Sequence, residues 1–241
     1  MRYGILGDVH SNLEALNAVL NALDGERYDQ IYCVGDIIGY GANPKECLDK
    51  IRNRGVITVA GNHDLAAVGR FDLNCFNSAA RDAVLYSMAR INASDLDFLS
   101  SLPMVKTTDA FSIVHASPKN PVNFDYIFTV AQAEEAFEVV ESPVTFIGHS
   151  HIPVVFFQDP GETDYSFTSE FYLRRQRRII FNVGSVGQPR DGNPDACYAM
   201  FDTNIAKIRL TRVPYDVDAA AKKIISANLP LILAERLYKG Y

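Results

Sequence analysis

Short apolar runs rich in β-branched residues, each stopped by a glycine or a polar residue, recur along the chain: Tyr3 to Leu6, Ile31 to Val34, Val56 to Ala60, Phe111 to Val114, Val144 to Ile147 and Ile179 to Val183. Runs of this length bounded by turn residues are expected to be buried strands. Between the early ones the spacing changes to a helical period. Leu13 to Leu23 places apolar residues at 13, 16, 19, 20 and 23, and Pro44 to Arg54 opens on the proline that a first helical turn tolerates. Alternating strand and helix predicts an α/β arrangement. Asn74 to Leu102 reads as helical throughout, and Val130 to Val140 adds another helix. Further on, Val154 to Phe157, Ser166 to Leu173, Ala196 to Phe201 and Ala206 to Val213 are strand-like pieces joined by Gly, Pro, Asp and Asn, a pattern that predicts hairpins. Helical segments Val217 to Ala227 and Leu231 to Tyr238 follow. Neither an internal repeat nor a long flexible linker interrupts residues 1–241, so one domain is expected.

Composition narrows the function. With 48% hydrophobic residues the chain can bury a substantial core. Its net charge of -6 disfavours a protein that grips nucleic acid through phosphate contacts, which need a basic surface. The four cysteines, Cys33, Cys47, Cys75 and Cys197, show no CxxC spacing and are expected to be reduced thiols. No basic leader or apolar run near the ~20 residues that span a bilayer is present, so a cytoplasmic, non-membrane protein is expected.

All five histidines, His10, His63, His115, His149 and His151, stand just after an apolar run. Strand carboxyl ends in open α/β sheets form the ligand crevice, so these side chains can converge although they are far apart in sequence. Asp8 with His10, and His149 with His151, are spaced to point to one face of extended backbone. Asp36 follows Gly35, and Asn62 and His63 follow Gly61. Carboxylate, amide and imidazole without thiolate suit divalent manganese, iron or zinc better than a structural zinc site.

Taken in order, Gly7-Asp8-Val9-His10, Gly35-Asp36, Gly61-Asn62-His63-Asp64, His115 and Gly148-His149-Ser150-His151 resemble the calcineurin-like metallophosphoesterases. The stretch Asn182-Val183-Gly184-Ser185-Val186-Gly187-Gln188-Pro189-Arg190 is similar to the small bacterial and archaeal branch of YfcE-like phosphodiesterases. The resemblance implies a four-layer αββα sandwich of two mixed sheets and a phosphodiester or phosphomonoester hydrolase, with nucleotides or dinucleoside polyphosphates as candidate substrates. It further implies two divalent ions, Mn2+ first, with Fe, Zn, Ni or Mg admissible. Asp8, His10 and His151 would hold one ion, Asn62, His115 and His149 the other, and Asp36 both. His63 would stay off the metals.

An imidazole suits protonation of the leaving oxygen, the catalytic role expected of His63, and Asp64 would orient the site from behind. Arg190, with Asn62, is a candidate phosphate contact, the alternative for Arg190 being a solvated turn arginine. The run Arg174 to Arg178 reads as a solvated hairpin or an anion-attracting patch. Leu229 to Leu233 would cap its own core or join a homo-oligomer. Three rival readings stand beside this one: a catalytically weak binding or scaffold protein on the same fold, a phosphoprotein phosphatase, although those typically carry Glu where Asp64 stands, and a metal-dependent nuclease, which the acidic balance counts against.

Overall fold

A computed structural model describes residues 1–241. The first strand, β1 (Arg2–Leu6), runs into α1 (Leu13–Asp24), β2 (Gln30–Cys33), α2 (Pro44–Asn53), β3 (Ile57–Thr58) and α3 (Asn62–Ala67). Two helices, α4 (Ser78–Met88) and α5 (Ala93–Ser101), precede β4 (Val105–Thr107) and β5 (Ser112–Val114). Next come α6 (Val130–Phe137), β6 (Val144–Ile147), β7 (Val154–Asp159), β8 (Glu162–Ser166), β9 (Glu170–Tyr172), β10 (Arg178–Asn182), β11 (Ala196–Asp202) and β12 (Lys207–Val213). The chain closes with α7 (Val217–Ser226) and α8 (Leu231–Lys239).

The strands form two mixed six-stranded sheets, ordered β3-β2-β1-β11-β12-β9 and β4-β5-β6-β10-β7-β8. In the first, β1, β2 and β3 are parallel; in the second, β5, β6 and β10 are. Alternation along β1 shows how the layers stack. Tyr3 and Ile5 face the other sheet, packing with Phe111, Phe146, Phe181 and Phe201, whereas Leu6 faces the helices and joins Leu16, Val19 and Leu23. The rings between the sheets meet edge to face, as Phe111 does with Phe146 at 5.5 Å and 80°. On the outer face of the second sheet, α6 buries Ala133, Ala136 and Phe137 against Phe156 and Ile180. Helix, sheet, sheet, helix is the expected four-layer sandwich.

Several local expectations need correction. Asn74 to Leu102 is not one helix: α4 and α5 are separate, each restarted by an asparagine. The Asn77 side chain accepts from Ala80 N, and Asn92 forms a capping box with Asp95. Ser166 to Leu173 divides between β8 and β9, which lie in different sheets. The basic run likewise crosses from β9 in one sheet to β10 in the other, so it is no hairpin. Arg177 lies over the Phe157 ring and pairs with Asp159, and Arg178 donates to the carbonyls of Phe137 (2.6 Å) and Val140 (2.9 Å). Leu229 and Leu233 are buried against α4 and α7, capping the chain's own core. No helix is long and apolar enough to cross a membrane.

Candidate metal centre

Five strand ends converge on one buried cluster. β1 delivers Asp8 and His10, β2 Asp36, β3 Asn62 and His63, β5 His115, and β6 His149 and His151; all are buried. The backbone pays a conformational cost to aim them. Asp8, His10, Asp36, His149 and His151 all take positive φ, between 39° and 66°, a region that costs non-glycine residues about 1–3 kcal/mol each. Two glycines permit the close packing this needs. A side chain at Gly61 would strike the Asp36 carboxylate, and one at Gly148 would strike that of Asp8.

Backbone carbonyls set the ring orientations. His10 Nδ1 lies 3.0 Å from the Ile38 carbonyl, His115 Nδ1 2.9 Å from that of Val34 and His151 Nδ1 2.6 Å from that of Gln188. A carbonyl only accepts, so each Nδ1 carries the hydrogen, and on His10 and His151, whose rings burial keeps neutral, Nε2 turns a lone pair inward. His10 Nε2 and His151 Nε2 then face each other at 3.0 Å with no proton to share. Two facing lone pairs repel unless a cation lies between them, and metal–nitrogen bonds of about 2.1 Å accommodate that separation. His115 Nε2 is likewise 3.1 Å from both Asn62 Oδ1 and His149 Nδ1. Asp36 Oδ2 lies 3.6 Å from His10 Nε2 and 3.3 Å from His115 Nε2, within reach of both groups. Both Asp8 oxygens accept from His149 N, at 3.0 and 3.2 Å, and Oδ1 is 3.5 Å from His151 Nε2. The donor atoms cluster as Asp8, His10 and His151; His10, Asp36 and His63; and Asp36, His115 and His149. The donor set therefore fits divalent cations.

Electrostatics agrees with that fit. Burial drives the pKa values of His10, His149 and His151 well below the usual histidine range, which keeps the imidazoles in the neutral form that binds metal. Burial raises Asp8 to about 7, His115 opposing and the Asp36 charge adding to the rise. Burial also acts to raise Asp36, but His115, His63 and His10 outweigh it and hold the carboxyl well below its usual range. His115 shows the reverse balance: burial lowers it, yet Asp36 brings it up to about 9. A proton on His115 thus neutralises charge at the place where a cation would do so more fully.

The remaining sequence-predicted residues fall in three different places. The His63 ring is enclosed by His10, Tyr40 and Phe76, with centroids 4.6 to 4.8 Å away, and its Nδ1 is buried without a partner. Asp64 turns away from the cleft. Its Oδ1 accepts from Ile37 N (3.0 Å) and Ile38 N (3.3 Å) and its Oδ2 from Gly61 N (3.1 Å), tying the Asp36 loop to the Gly61 turn. Asp64→Asn sets an NH2 group against these donors, so the variant is expected to lose about 1–3 kcal/mol. Differential scanning calorimetry should register a fall of ~2–4 °C per kcal/mol; an unchanged melting temperature would contradict the clamp.

Arg190 is half-buried in the wall of a cleft of about 510 Å³ that also contains Asp36, Asn62, His63, His149 and His151. Its Nη2 donates to Gln188 Oε1 at 2.9 Å, its guanidinium sits 5.4 Å from the Tyr40 ring centroid, and its Nε has no partner. It is not a solvated turn arginine. Sequence reasoning missed Tyr126, whose ring stacks on His149 at 4.1 Å and 20°. It also missed the three orienting carbonyls, which no side-chain pattern could signal.

A four-layer sandwich with a buried carboxylate–imidazole cluster at its strand ends defines the metal-dependent phosphoesterases. The sequence profile of the calcineurin-like phosphoesterase superfamily domain matches residues 1–205. The chain is also 39% identical to an uncharacterised protein of Methanocaldococcus jannaschii over 240 residues, covering 98% of this chain and 97% of that one. It belongs to the calcineurin-like phosphoesterases and is a hydrolase of phosphate esters. A metallophosphoesterase structure from Sphaerobacter thermophilus superposes with a TM-score of 0.88 at 36% identity, covering 100% of this chain and 99% of that chain. The fold recurs in a Pyrococcus horikoshii protein, with a TM-score of 0.80 at 20% identity over 100% and 98% of the two chains. A symmetrical bis(5'-nucleosyl)-tetraphosphatase of Actinobacillus succinogenes is 30% identical over 134 residues, 53% of this chain and 47% of its own length.

Proposed function

We propose that the chain is a binuclear phosphoesterase that cleaves phosphodiester or phosphomonoester bonds. The observation that carries this reading is the pair of facing lone pairs on His10 and His151, 3.0 Å apart, with Asp36 in reach of both imidazole groups. In this reading Asp8, His10 and His151 would hold one cation, Asn62, His115 and His149 would hold the second, and Asp36 would be shared by both. Mn2+ is the first candidate, the carboxylate and amide oxygens suiting it, while the imidazoles also admit Fe, Zn or Ni, and Mg stays admissible. A pair of divalent cations supplies a hydroxide nucleophile at neutral pH and neutralises the phosphoryl oxygens.

The chain's own groups supply the rest. Carbonyl hydrogen bonds from Val34, Ile38 and Gln188 lock three rings before substrate arrives, so little reorganisation is needed during reaction. Arg190 lines the cleft with its guanidinium and is the candidate contact for a phosphate oxygen, with Asn62 in the same cleft wall. His63, at the cleft's inner face, donates a proton to the departing oxygen. Nucleotides and dinucleoside polyphosphates are candidate substrates. The tetraphosphatase relative, named for a dinucleoside polyphosphate, supports the second, although it aligns with only half of the chain. Four free cysteines suit a reducing cytoplasm.

The test removes metal with EDTA, restores Mn2+ and follows hydrolysis of bis-p-nitrophenyl phosphate and p-nitrophenyl phosphate while elemental analysis counts the ions. Activity should disappear and return with two ions per chain, and the rate ratio will separate diester from monoester preference. Two bound ions without hydrolysis of any ester would instead support a scaffold role.

A further inference from the structure

Three rings form a stack leading outward from the candidate centre. Tyr126 lies on the His149 imidazole, with centroids 4.1 Å apart and planes at 20°, and Phe128 lies nearly parallel to Tyr126 at 5.0 Å and 15°. Both outer rings are solvent-exposed, Tyr126 at 42% and Phe128 at 55%. Neither joins a hydrophobic core cluster, whereas Ile127 between them is buried against Ala133, Ala136 and Phe137. The inward Ile127 forces its neighbours outward.

The segment is firmly built. Phe128 N donates to Gln132 Oε1 at 2.9 Å, Thr129 and Gln132 form the capping box of α6, and Ser117 N donates to Asp125 O at 3.0 Å across the loop base. Two large aromatic side chains held rigid and wet beside a reactive cleft are a pre-organised contact for a ligand. The metal cleft of about 510 Å³ and a neighbouring one of about 500 Å³ meet at Asp125 and Tyr126, and Phe128, Lys119, Asn120 and Gln132 line the second.

We propose that Tyr126 and Phe128 are the base-binding subsite of this enzyme: a nucleotide with its phosphate in the metal cleft lays its base against the exposed Phe128 ring. The inference rests on the phosphoesterase reading. Phe128 stands one stacking step, 5.0 Å, beyond Tyr126, so an aromatic group resting on it needs a spacer, such as a ribose, between itself and a phosphate in the first cleft. Asn120 and the side-chain amide nitrogen of Gln132 border the second cleft and can meet the heteroatom edge of a base, whereas the Gln132 oxygen is taken up by the α6 capping box and Lys119 pairs with Glu135.

Calorimetric titration of the Mn2+-loaded protein with slowly hydrolysed phosphorothioate analogues of adenosine 5'-monophosphate and ribose 5-phosphate isolates the base. The wild type should bind the adenosine compound about tenfold or more tightly than the ribose compound. Phe128→Ala should bring that ratio near one, and Phe128→Trp should retain it, with metal content as the check on folding. Equal affinity of the two compounds in the wild type, or a preference that survives Phe128→Ala, would overturn the proposal. Base preference in a protein that hydrolyses no phosphate ester would overturn the phosphoesterase reading and leave the subsite standing.

Discussion

Asp36→Asn is expected to reduce bound metal from two ions to one or none and to lower kcat by about a hundred- to a thousandfold or more. Asp36 is the carboxylate within reach of both imidazole groups, and the surrounding histidines hold it in its charged form despite full burial. Its Oδ1 accepts from His63 N at 2.9 Å, a bond that an asparagine oxygen can keep, so the turn after β3 should survive the substitution. The loss therefore falls on charge and on Oδ2, the atom that faces the two ring nitrogens. Elemental analysis beside steady-state hydrolysis checks this; a variant that keeps two ions and normal turnover would remove Asp36 from the bridge.

His63→Ala should act differently, lowering kcat by about a hundred- to ten-thousandfold while both ions stay bound. Burial pushes the His63 imidazole down to about 4, with Asp36 opposing and the His115 and Arg190 charges deepening the fall. For His63 to carry the proton it donates, the negative charge of a bound phosphate must outweigh both this burial and the charge of the two cations proposed beside it. The loss should depend on the leaving group: p-nitrophenolate departs with little help, so its esters should lose less than alkyl esters do. A uniform loss accompanied by loss of metal would mean that His63 is a ligand, a role that its place beside His10 and Asp36 allows.

Much of this centre was legible because its residues obey short-range rules. A strand leaves its carboxyl end where the apolar run stops, so five histidines and two aspartates placed just after such runs had to meet along one edge of the sandwich. The i, i+2 spacing was a weaker guide: Asp8 and His10 reach one donor group, but His149 and His151 reach different ones, and all four take positive φ instead of the extended backbone that spacing assumed. The strands that went unread were Val105–Thr107, exposed at a sheet edge, and Glu162–Ser166, whose alternation is mostly polar. Pairing with neighbours distant in sequence, rather than their own hydrophobicity, makes them strands.

The chain's order of side chains thus determined the fold class and the list of groups able to meet a metal, through periodicity and turn chemistry that act over a few residues. Only the folded molecule decided their orientation. Carbonyls 28, 81 and 37 positions away choose which nitrogen of His10, His115 and His151 faces inward. Backbone amides 26 and 27 positions away draw Asp64 out of the cleft, and crossing between sheets commits Arg177 and Arg178 to structural partners. The rings of Tyr126 and His149 stack although 23 positions separate them. Hydrogen-bond geometry and ring stacking depend on the relative placement of whole strands, which is set when the two sheets pack and cannot be read from local spacing.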